Sequence, residues 1–181
     1  VAADEAYIDF GGESALPLLG RFPNLVVLRT FSKAYGLAGL RVGFLAGNPR
    51  VVGILERAAS PYRVTTASLA AAEAALADRS NVRRYVTGIR AQRSRLLREL
   101  DARGLAVSPS AGNFLLFRIG AGARRLLDGL AREGIRVRDR SSDPALAGCL
   151  RVTVGSRPQM DRFLKALDQE LSRRERPPSA V

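Results

Sequence analysis

Residues 30–44 read TFSKAYGLAGLRVGF, and the interpretation of the whole chain starts from this stretch. Just before it, residues 25–30 (LVVLRT) form a short aliphatic run bounded by Pro23 and Asn24, which predicts a buried strand. Lys33 therefore follows a strand directly, among hydroxyl and small side chains. Burial at such a position favours an uncharged amine that can act as a nucleophile. The alternative is an ordinary surface lysine on a turn.

The rarity of lysine makes Lys33 more informative. The chain has 29 Lys and Arg residues, yet Lys33 and Lys165 are its two lysines. Arginine stays protonated and cannot supply a free amine. In a chain that uses arginine almost everywhere else, a lysine at this place indicates a role that needs a deprotonatable amine.

Composition excludes several classes of function. The net charge of +12 raises the possibility of nucleic-acid binding, but the arginines are spread along Ala- and Leu-rich stretches and aromatic residues make up 6% of the chain. There is no histidine and one cysteine, Cys149, which excludes Ser-His-Asp catalysis, CxxC motifs and most transition-metal sites. We expect no metal, no nucleic-acid partner and no disulfide.

The chain also lacks the signals of a membrane or secreted protein. Its apolar runs are too short to cross a bilayer, and no basic and apolar leader opens it. We expect a soluble chain with no membrane partner, located in the cytoplasm.

Two further sets of polar residues accompany Lys33. Upstream, Asp4 and Tyr7 form a D-x-x-Y pattern. Its carboxylate can pair with the protonated ring nitrogen of a heterocyclic cofactor, and its phenol can bond to a hydroxyl oxygen on the same ring. Around the lysine, the hydroxyls of Thr30 and Ser32 and the guanidinium of Arg41 are suited to gripping a phosphate. Each set alone has an ordinary explanation: a strand-end carboxylate with a packed tyrosine, and a charged residue in an edge strand.

Together, DEAY and TFSKAYGLAGLRVGF resemble the class I/II aminotransferases of fold type I, which use pyridoxal 5'-phosphate (PLP), over roughly residues 1–171. The resemblance implies an α/β chain that forms the C-terminal part of that fold: the end of the large-domain mixed sheet and a small α+β domain. It makes Lys33 the Schiff-base lysine and the acid/base of the proton shift. It also makes Asp4 the partner of the pyridine nitrogen and Tyr7 the partner of the ring hydroxyl, with Thr30, Ser32 and Arg41 on the phosphate.

The last third of the chain is similar to the histidinol-phosphate aminotransferase branch. The likeness is carried by GIRVRD at residues 134–139 and AGCLRVTVG at residues 147–155. It implies that Arg138 and Arg151 face the anionic group of the substrate, and that Asn113, after the turn SPSAG, contributes to the same site. Two guanidiniums are better suited to binding a dianionic phosphate than to binding a single carboxylate. The alternatives are strand-end arginines and a turn-capping asparagine.

The implied reaction exchanges the amino group between L-histidinol phosphate and 2-oxoglutarate, giving imidazole acetol phosphate and glutamate in histidine biosynthesis. The small-molecule partners are thus an amino donor and a 2-oxo acid. An aromatic amino acid aminotransferase of the same superfamily is the alternative enzyme.

The predicted organisation has four segments. Residues 1–62 are the end of the PLP-binding domain, 63–103 are linking helices, 104–172 are a small α+β domain and 173–181 are a disordered tail. Helices are predicted at 66–76, 82–103 and 123–132 and near the C-terminus, and strands at 25–30, 41–46, 105–107, 113–119, 135–138 and 149–154.

Against the family pattern the chain starts late, since its first residues resemble the end of a strand whose first half is missing. The glycine-containing phosphate loop, a ring-stacking aromatic and an asparagine on the ring hydroxyl have no counterpart in it. Taken alone, the chain is expected to be a poor enzyme. A short, catalytically silent product that acts by association is the alternative, and a homodimer is expected for the full-length form because the family builds its site across a subunit boundary.

Overall fold

A computed structural model describes residues 1–175 and divides them into two compact units, Val1–Thr87 and the residues from Gly88 onward. The strands are β1 (Ala2–Asp4), β2 (Val26–Thr30), β3 (Gly43–Gly47), β4 (Ala106–Ser108), β5 (Phe114–Arg118), β6 (Arg138–Asp139) and β7 (Cys149–Thr153). The helices are α1 (Pro49–Ala58), α2 (Thr66–Ala77), α3 (Arg79–Asp101), α4 (Ala123–Arg132) and α5 (Arg157–Glu175). The predicted α/β class is confirmed.

The first unit is built on a three-stranded sheet with β2 in the middle. β1 runs parallel to β2, with Ala2 opposite Val26, and β3 runs antiparallel to it, with Thr30 opposite Gly43. The carboxyl ends of β1 and β2 therefore meet at one edge of the sheet. Val27 is fully buried in the central strand, as its aliphatic sequence predicts.

Side-chain caps fix where the helices of the first unit begin. The Asn48 side chain accepts a hydrogen bond from the Arg50 N–H at 3.0 Å, and Pro49 occupies the first position of α1. Thr65 caps α2 by accepting from the Ser68 N–H at 3.2 Å. α2 supplies Ala72 to a small core with Phe31 and Val42, against which Tyr35 and Leu37 of the lysine loop also pack.

The second unit has an antiparallel sheet in the order β4-β5-β7-β6. Its core is formed by large apolar side chains that are almost fully buried, among them Leu115, Phe117, Leu130, Leu150, Phe163 and Leu167. Ion pairs join α5 to α3 and to the turn that follows it. Arg95 of α3 binds Asp161 of α5, and Arg103, two residues beyond α3, binds Asp168 of α5 at 2.6 Å and Glu99 of α3 at 2.8 Å.

The structure shifts several predicted boundaries. β3 begins at Gly43 rather than at residue 41, because Arg41 has a left-handed backbone (φ 55°) that cannot continue a strand. β6 is limited to Arg138–Asp139, because its ladder with β7 pairs two residues. Helix α1 lay outside the sequence predictions, although Asn48 and Pro49 are its start signals.

Helix α5 extends to Glu175, three residues into the predicted disordered tail, and residues 176–181 lie outside the described part of the chain. Within residues 1–175, none of the helices combines the length and the apolar character that spanning a bilayer requires.

Candidate functional site

Lys33 lies in the loop just beyond β2, at the edge of the sheet where β1 and β2 both end. Tyr7 lies three residues beyond the end of β1, and the parallel pairing brings it to the same edge. The Lys33 Nζ is 5.2 Å from the centroid of the Tyr7 ring. Both side chains are half-buried. The structure thus brings together a primary amine and a phenol that are 26 positions apart in sequence.

Asp4 is the last residue of β1 and lies opposite Leu28 of β2. Its Oδ1 accepts a hydrogen bond from the Ala6 N–H at 2.9 Å, which turns the chain out of the strand. The residue is exposed, so its carboxylate remains accessible to a ligand. The Phe10 N–H then donates to the Tyr7 carbonyl at 3.0 Å, which fixes the short 3-10 turn that follows the tyrosine.

The Thr30 side chain is hydrogen-bonded to the backbone of Ser32. The Thr30 Oγ1 accepts from the Ser32 N–H at 3.0 Å and lies 3.4 Å from the Val42 carbonyl, to which it can donate. The Phe31 N–H donates to the same carbonyl at 3.1 Å. The chain on both sides of Lys33 is therefore held against the start of β3.

Arg41 directly precedes Val42 in sequence and is exposed. Its left-handed backbone (φ 55°) follows the 3-10 turn Ala38–Leu40, and its Nη1 donates to the Ala38 carbonyl at 3.1 Å. Left-handed backbone in a residue with a Cβ costs about 1–2 kcal/mol, and such strain is concentrated at functional sites. The predicted phosphate-binding residues thus belong to two adjoining turns.

Aromatic packing holds the lysine loop in place. Phe31 is buried, with its ring centroid 4.8 Å from that of Tyr35 and 6.3 Å from that of Phe44. Because Phe31 and Ala34 are both buried on either side of it, Lys33 has little freedom to change its place.

Glu5, between Asp4 and Tyr7, was not among the predicted site residues. It is 8% exposed and accepts hydrogen bonds from the Ser14 hydroxyl, the Ala15 N–H and both Nε (3.0 Å) and Nη2 (2.9 Å) of Arg29. Burial by itself would raise its pKa, but these donors together bring the pKa of Glu5 below its ordinary value. The signal in the sequence was Arg29, a charged residue inside the otherwise aliphatic run of β2.

The second unit carries the other predicted site residues. Arg138 and Arg151 are paired across the antiparallel strands β6 and β7, so their side chains leave the same face of the sheet. The Arg151 guanidinium lies 5.1 Å from the Phe114 ring centroid, and its buried Nε has no hydrogen-bond partner among the residues that the structure describes. The Asn113 carbonyl accepts from the Val154 N–H at 2.8 Å, at the end of the β5–β7 ladder.

The sequence model of the family described as Aminotransferase class I and II matches residues 1–167. The chain belongs to this family. The resemblance that DEAY and the lysine motif indicated is thereby confirmed, and the family consists of PLP-dependent enzymes.

Curated relatives and solved structures agree with the family assignment. The chain is 44% identical over 172 residues to "Histidinol-phosphate aminotransferase 2" of Methylococcus capsulatus, covering 93% of this chain and 46% of that protein. It is 43% identical over 175 residues to "Histidinol-phosphate aminotransferase" of Frankia casuarinae, and the alignment covers 95% of this chain and 43% of that protein. The chain also superposes, with a TM-score of 0.85 and 33% identity, on the crystal structure of histidinol-phosphate aminotransferase from Sinorhizobium meliloti in complex with pyridoxal-5'-phosphate. The superposition covers 95% of this chain and 48% of that one. The chain spans about half the length of these relatives.

The donor set of the first unit fits the cofactor of this family. Imine formation needs a primary amine, and Lys33 supplies one beside the Tyr7 phenol. A pyridinium needs a carboxylate, which Asp4 offers in an exposed position at the same sheet edge. A phosphate needs clustered donors, and the adjoining turns of Thr30, Ser32 and Arg41 provide hydroxyl and guanidinium groups.

Proposed function

We propose that the protein containing this chain is a PLP-dependent aminotransferase that exchanges amino groups between L-histidinol phosphate and 2-oxoglutarate, giving imidazole acetol phosphate and glutamate. The observation that carries the proposal is the placement of the Lys33 amine 5.2 Å from the Tyr7 ring, at the sheet edge that also presents Asp4. The reaction has no net redox change, since an amine and a ketone exchange roles.

When bound, PLP would supply an electron sink for the charge left on the substrate α-carbon. Lys33 would hold the cofactor covalently through Nζ and, once displaced by substrate, move the α-proton as a general base. Asp4 would keep the pyridine nitrogen protonated, and Tyr7 would donate to the ring hydroxyl oxygen. Thr30, Ser32 and Arg41 would fix the phosphate, so that the reacting carbon stays within reach of Nζ.

For the substrate, we propose that Arg138 and Arg151 bind its phosphate and that Asn113 contributes to the same site. The opposed guanidiniums support an anion there, as does the buried Nε of Arg151, for which the described part of the chain offers no hydrogen-bond partner. The relatives from Methylococcus capsulatus and Frankia casuarinae are named as histidinol-phosphate aminotransferases, which supports histidinol phosphate over an aromatic amino acid as the substrate.

We further propose the organisation that the resemblance implied. Residues 1–62 would end a large cofactor-binding domain, 63–103 would link it to a small domain at 104–172, and the full-length protein would be a cytoplasmic homodimer. Size measurement of the full-length protein at micromolar concentration tests the dimer.

Covalent trapping tests the function. The longest natural form that contains the chain is incubated with PLP, reduced with borohydride and digested, and the modified lysine is located by peptide mass. We expect the adduct at Lys33 and its loss in Lys33→Ala, with Lys165 as the internal control. An adduct at Lys165 but not at Lys33 would refute the site.

Amino transfer is then assayed with histidinol phosphate and, separately, phenylalanine. Turnover of histidinol phosphate with 2-oxoglutarate supports the proposal. A preference for phenylalanine would make the protein an aromatic aminotransferase, and turnover of neither would support a silent chain.

A further inference from the structure

Asp4 and Glu5 are adjacent carboxylates in very different environments. Asp4 is exposed, whereas the Glu5 side chain is buried, with 6% of its surface exposed. The Glu5 N–H donates to the Leu28 carbonyl at 2.9 Å, so the pairing of β1 with β2 continues through this residue. Side chains alternate along an extended chain, which explains why the two carboxylates leave on opposite sides.

The Glu5 carboxylate joins its own segment to two others, the loop at residues 14–15 and strand β2. It accepts from the Ser14 hydroxyl at 2.9 and 3.0 Å and from the Ala15 N–H, both in the loop that follows Tyr7. It also accepts two hydrogen bonds from Arg29 of β2, and the Arg29 Nη2 donates to the Ser14 Oγ at 2.9 Å. A buried carboxylate with four donors is geometrically fixed and costly to disturb.

These segments are the ones that carry the candidate site. Arg29 directly precedes Thr30 in the strand that leads to Lys33. The Glu5 carbonyl accepts from the Ile8 N–H at 3.1 Å and so begins the turn at Tyr7. Glu5 thus fixes, through one side chain and one carbonyl, the position of the D-x-x-Y turn relative to the lysine loop.

We propose that Glu5 is a positioning residue for the cofactor: by clamping residues 14–15 and Arg29, it sets the placement of Asp4 and Tyr7 relative to Lys33. This inference rests on the proposed function, because the cofactor is the ligand whose binding it tunes. The clamp is held as a charged pair, in keeping with the lowered pKa of Glu5.

The test compares two buried glutamates in the longest natural form. Glu5→Gln keeps the size of the side chain but turns amide hydrogens toward donors, so the clamp is lost. Glu170→Gln is the matched control: Glu170 is 5% exposed, is bonded by Arg173 and lies 3.8 Å from Arg132, in the second unit. Both variants are expected to lower the melting temperature to a similar extent.

The cofactor readouts separate positioning from stability. We expect Glu5→Gln to weaken PLP binding at least tenfold and to shift the pH midpoint of the bound cofactor's absorbance. Glu170→Gln is expected to change the dissociation constant less than twofold and to leave the midpoint in place. Equal PLP affinities and midpoints in the two variants would overturn the proposal.

Milder variants cover the case in which Glu5→Gln does not fold. Arg29→Lys keeps the charge but loses the bidentate contact with Glu5, and Ser14→Ala removes one hydrogen-bond donor to Glu5. Each is expected to weaken PLP binding severalfold, and the double variant by less than the product of the two, because both act through Glu5. Wild-type affinity in both would contradict the inference. If the wild-type protein itself fails to trap PLP at Lys33, the proposed function fails instead.

Discussion

Arg138 and Arg151 lie directly opposite each other on the antiparallel strands β6 and β7. Like charges in this arrangement repel, which makes the pair unfavourable unless an anion lies between or beside them. One contact that offsets the repulsion is visible, the Phe114 ring 5.1 Å from the Arg151 guanidinium. The pair is therefore a place where the protein gives up stability that a bound anion can restore.

Neutralising either arginine should harm the phosphate substrate selectively. In Arg138→Gln and Arg151→Gln we expect kcat/KM for histidinol phosphate to fall about 10- to 100-fold, since a hydrogen bond to a charged group contributes about 1.5–3 kcal/mol. The loss with phenylalanine should be smaller. Arg98→Gln, on an exposed turn of α3, serves as the control and should change neither value. Equal losses on both substrates would contradict the phosphate assignment.

Arg41 should show a conflict between stability and cofactor binding. Arg41→Gly relieves the left-handed backbone, so we expect the free energy of unfolding in urea to rise by about 1 kcal/mol. The same change removes the guanidinium and should weaken PLP binding at least tenfold. Arg41→Lys keeps the charge and the strain, and should bind PLP with intermediate affinity without gaining stability. A glycine variant that binds PLP as tightly as the wild type would remove Arg41 from the site.

Two glycines are expected to respond in opposite directions to alanine. At Gly148 (φ +71°) a Cβ would lie 2.6 Å from the Gly120 Cα, so Gly148→Ala should lower the free energy of unfolding by about 2 kcal/mol or more. Gly88 lies inside α3, and apart from its chain neighbours and the backbone of the helix itself, no atom of residues 1–175 lies within 4 Å of such a Cβ. Gly88→Ala should raise the free energy of unfolding by about 0.5–1 kcal/mol. Urea denaturation measures both, and two changes of the same sign would contradict the packing.

Acid should weaken the fold partly through Glu5. Burial would raise the pKa of Glu5, but the bonds from Ala15, Ser14 and Arg29 bring it below the ordinary value of 4.5. A carboxyl whose pKa is lower in the folded state stabilises the protein above about pH 4.5 and loses that contribution as the pH falls through the folded value. Urea midpoints at pH 7 and pH 3 should therefore differ less in Glu5→Gln than in the wild type.

Asp168 gives the comparison for this acid effect. Its hydrogen bond with Arg103 lowers the pKa of Asp168, but its side chain is 51% exposed, so solvent screens the pair. Asp168→Asn should reduce the pH dependence less than Glu5→Gln does. A larger effect at Asp168 would show that the buried clamp is not the main source of acid sensitivity.

Elements with strong local signals were predictable from the sequence. Helix α4 was predicted at its observed bounds, because its apolar residues recur at the helical period, and β2 was predicted to within one residue. The family resemblance rested on two short motifs, the D-x-x-Y pattern and the stretch around Lys33, and each of them is contiguous in sequence.

Features set by distant contacts were not predictable in the same way. The start of β3 depends on the backbone of Arg41, and the short β6 depends on where its ladder with β7 ends. The contact of Glu5 with Arg29 depends on the parallel pairing of β1 and β2, and its contact with Ser14 depends on how the chain folds back after Tyr7. Periodicity along one segment contains no information on such encounters.

The parallel register of β1 and β2 has a consequence for the order of folding. Ala2 pairs with Val26, so the edge that presents Asp4, Tyr7 and Lys33 exists only after a crossover of more than twenty residues has closed. Loop closure of that length costs entropy before any contact repays it, whereas α4 and α5 need only local contacts to begin. We therefore expect helical structure to form before this candidate site during refolding, and any binding of PLP to follow as one of the last events.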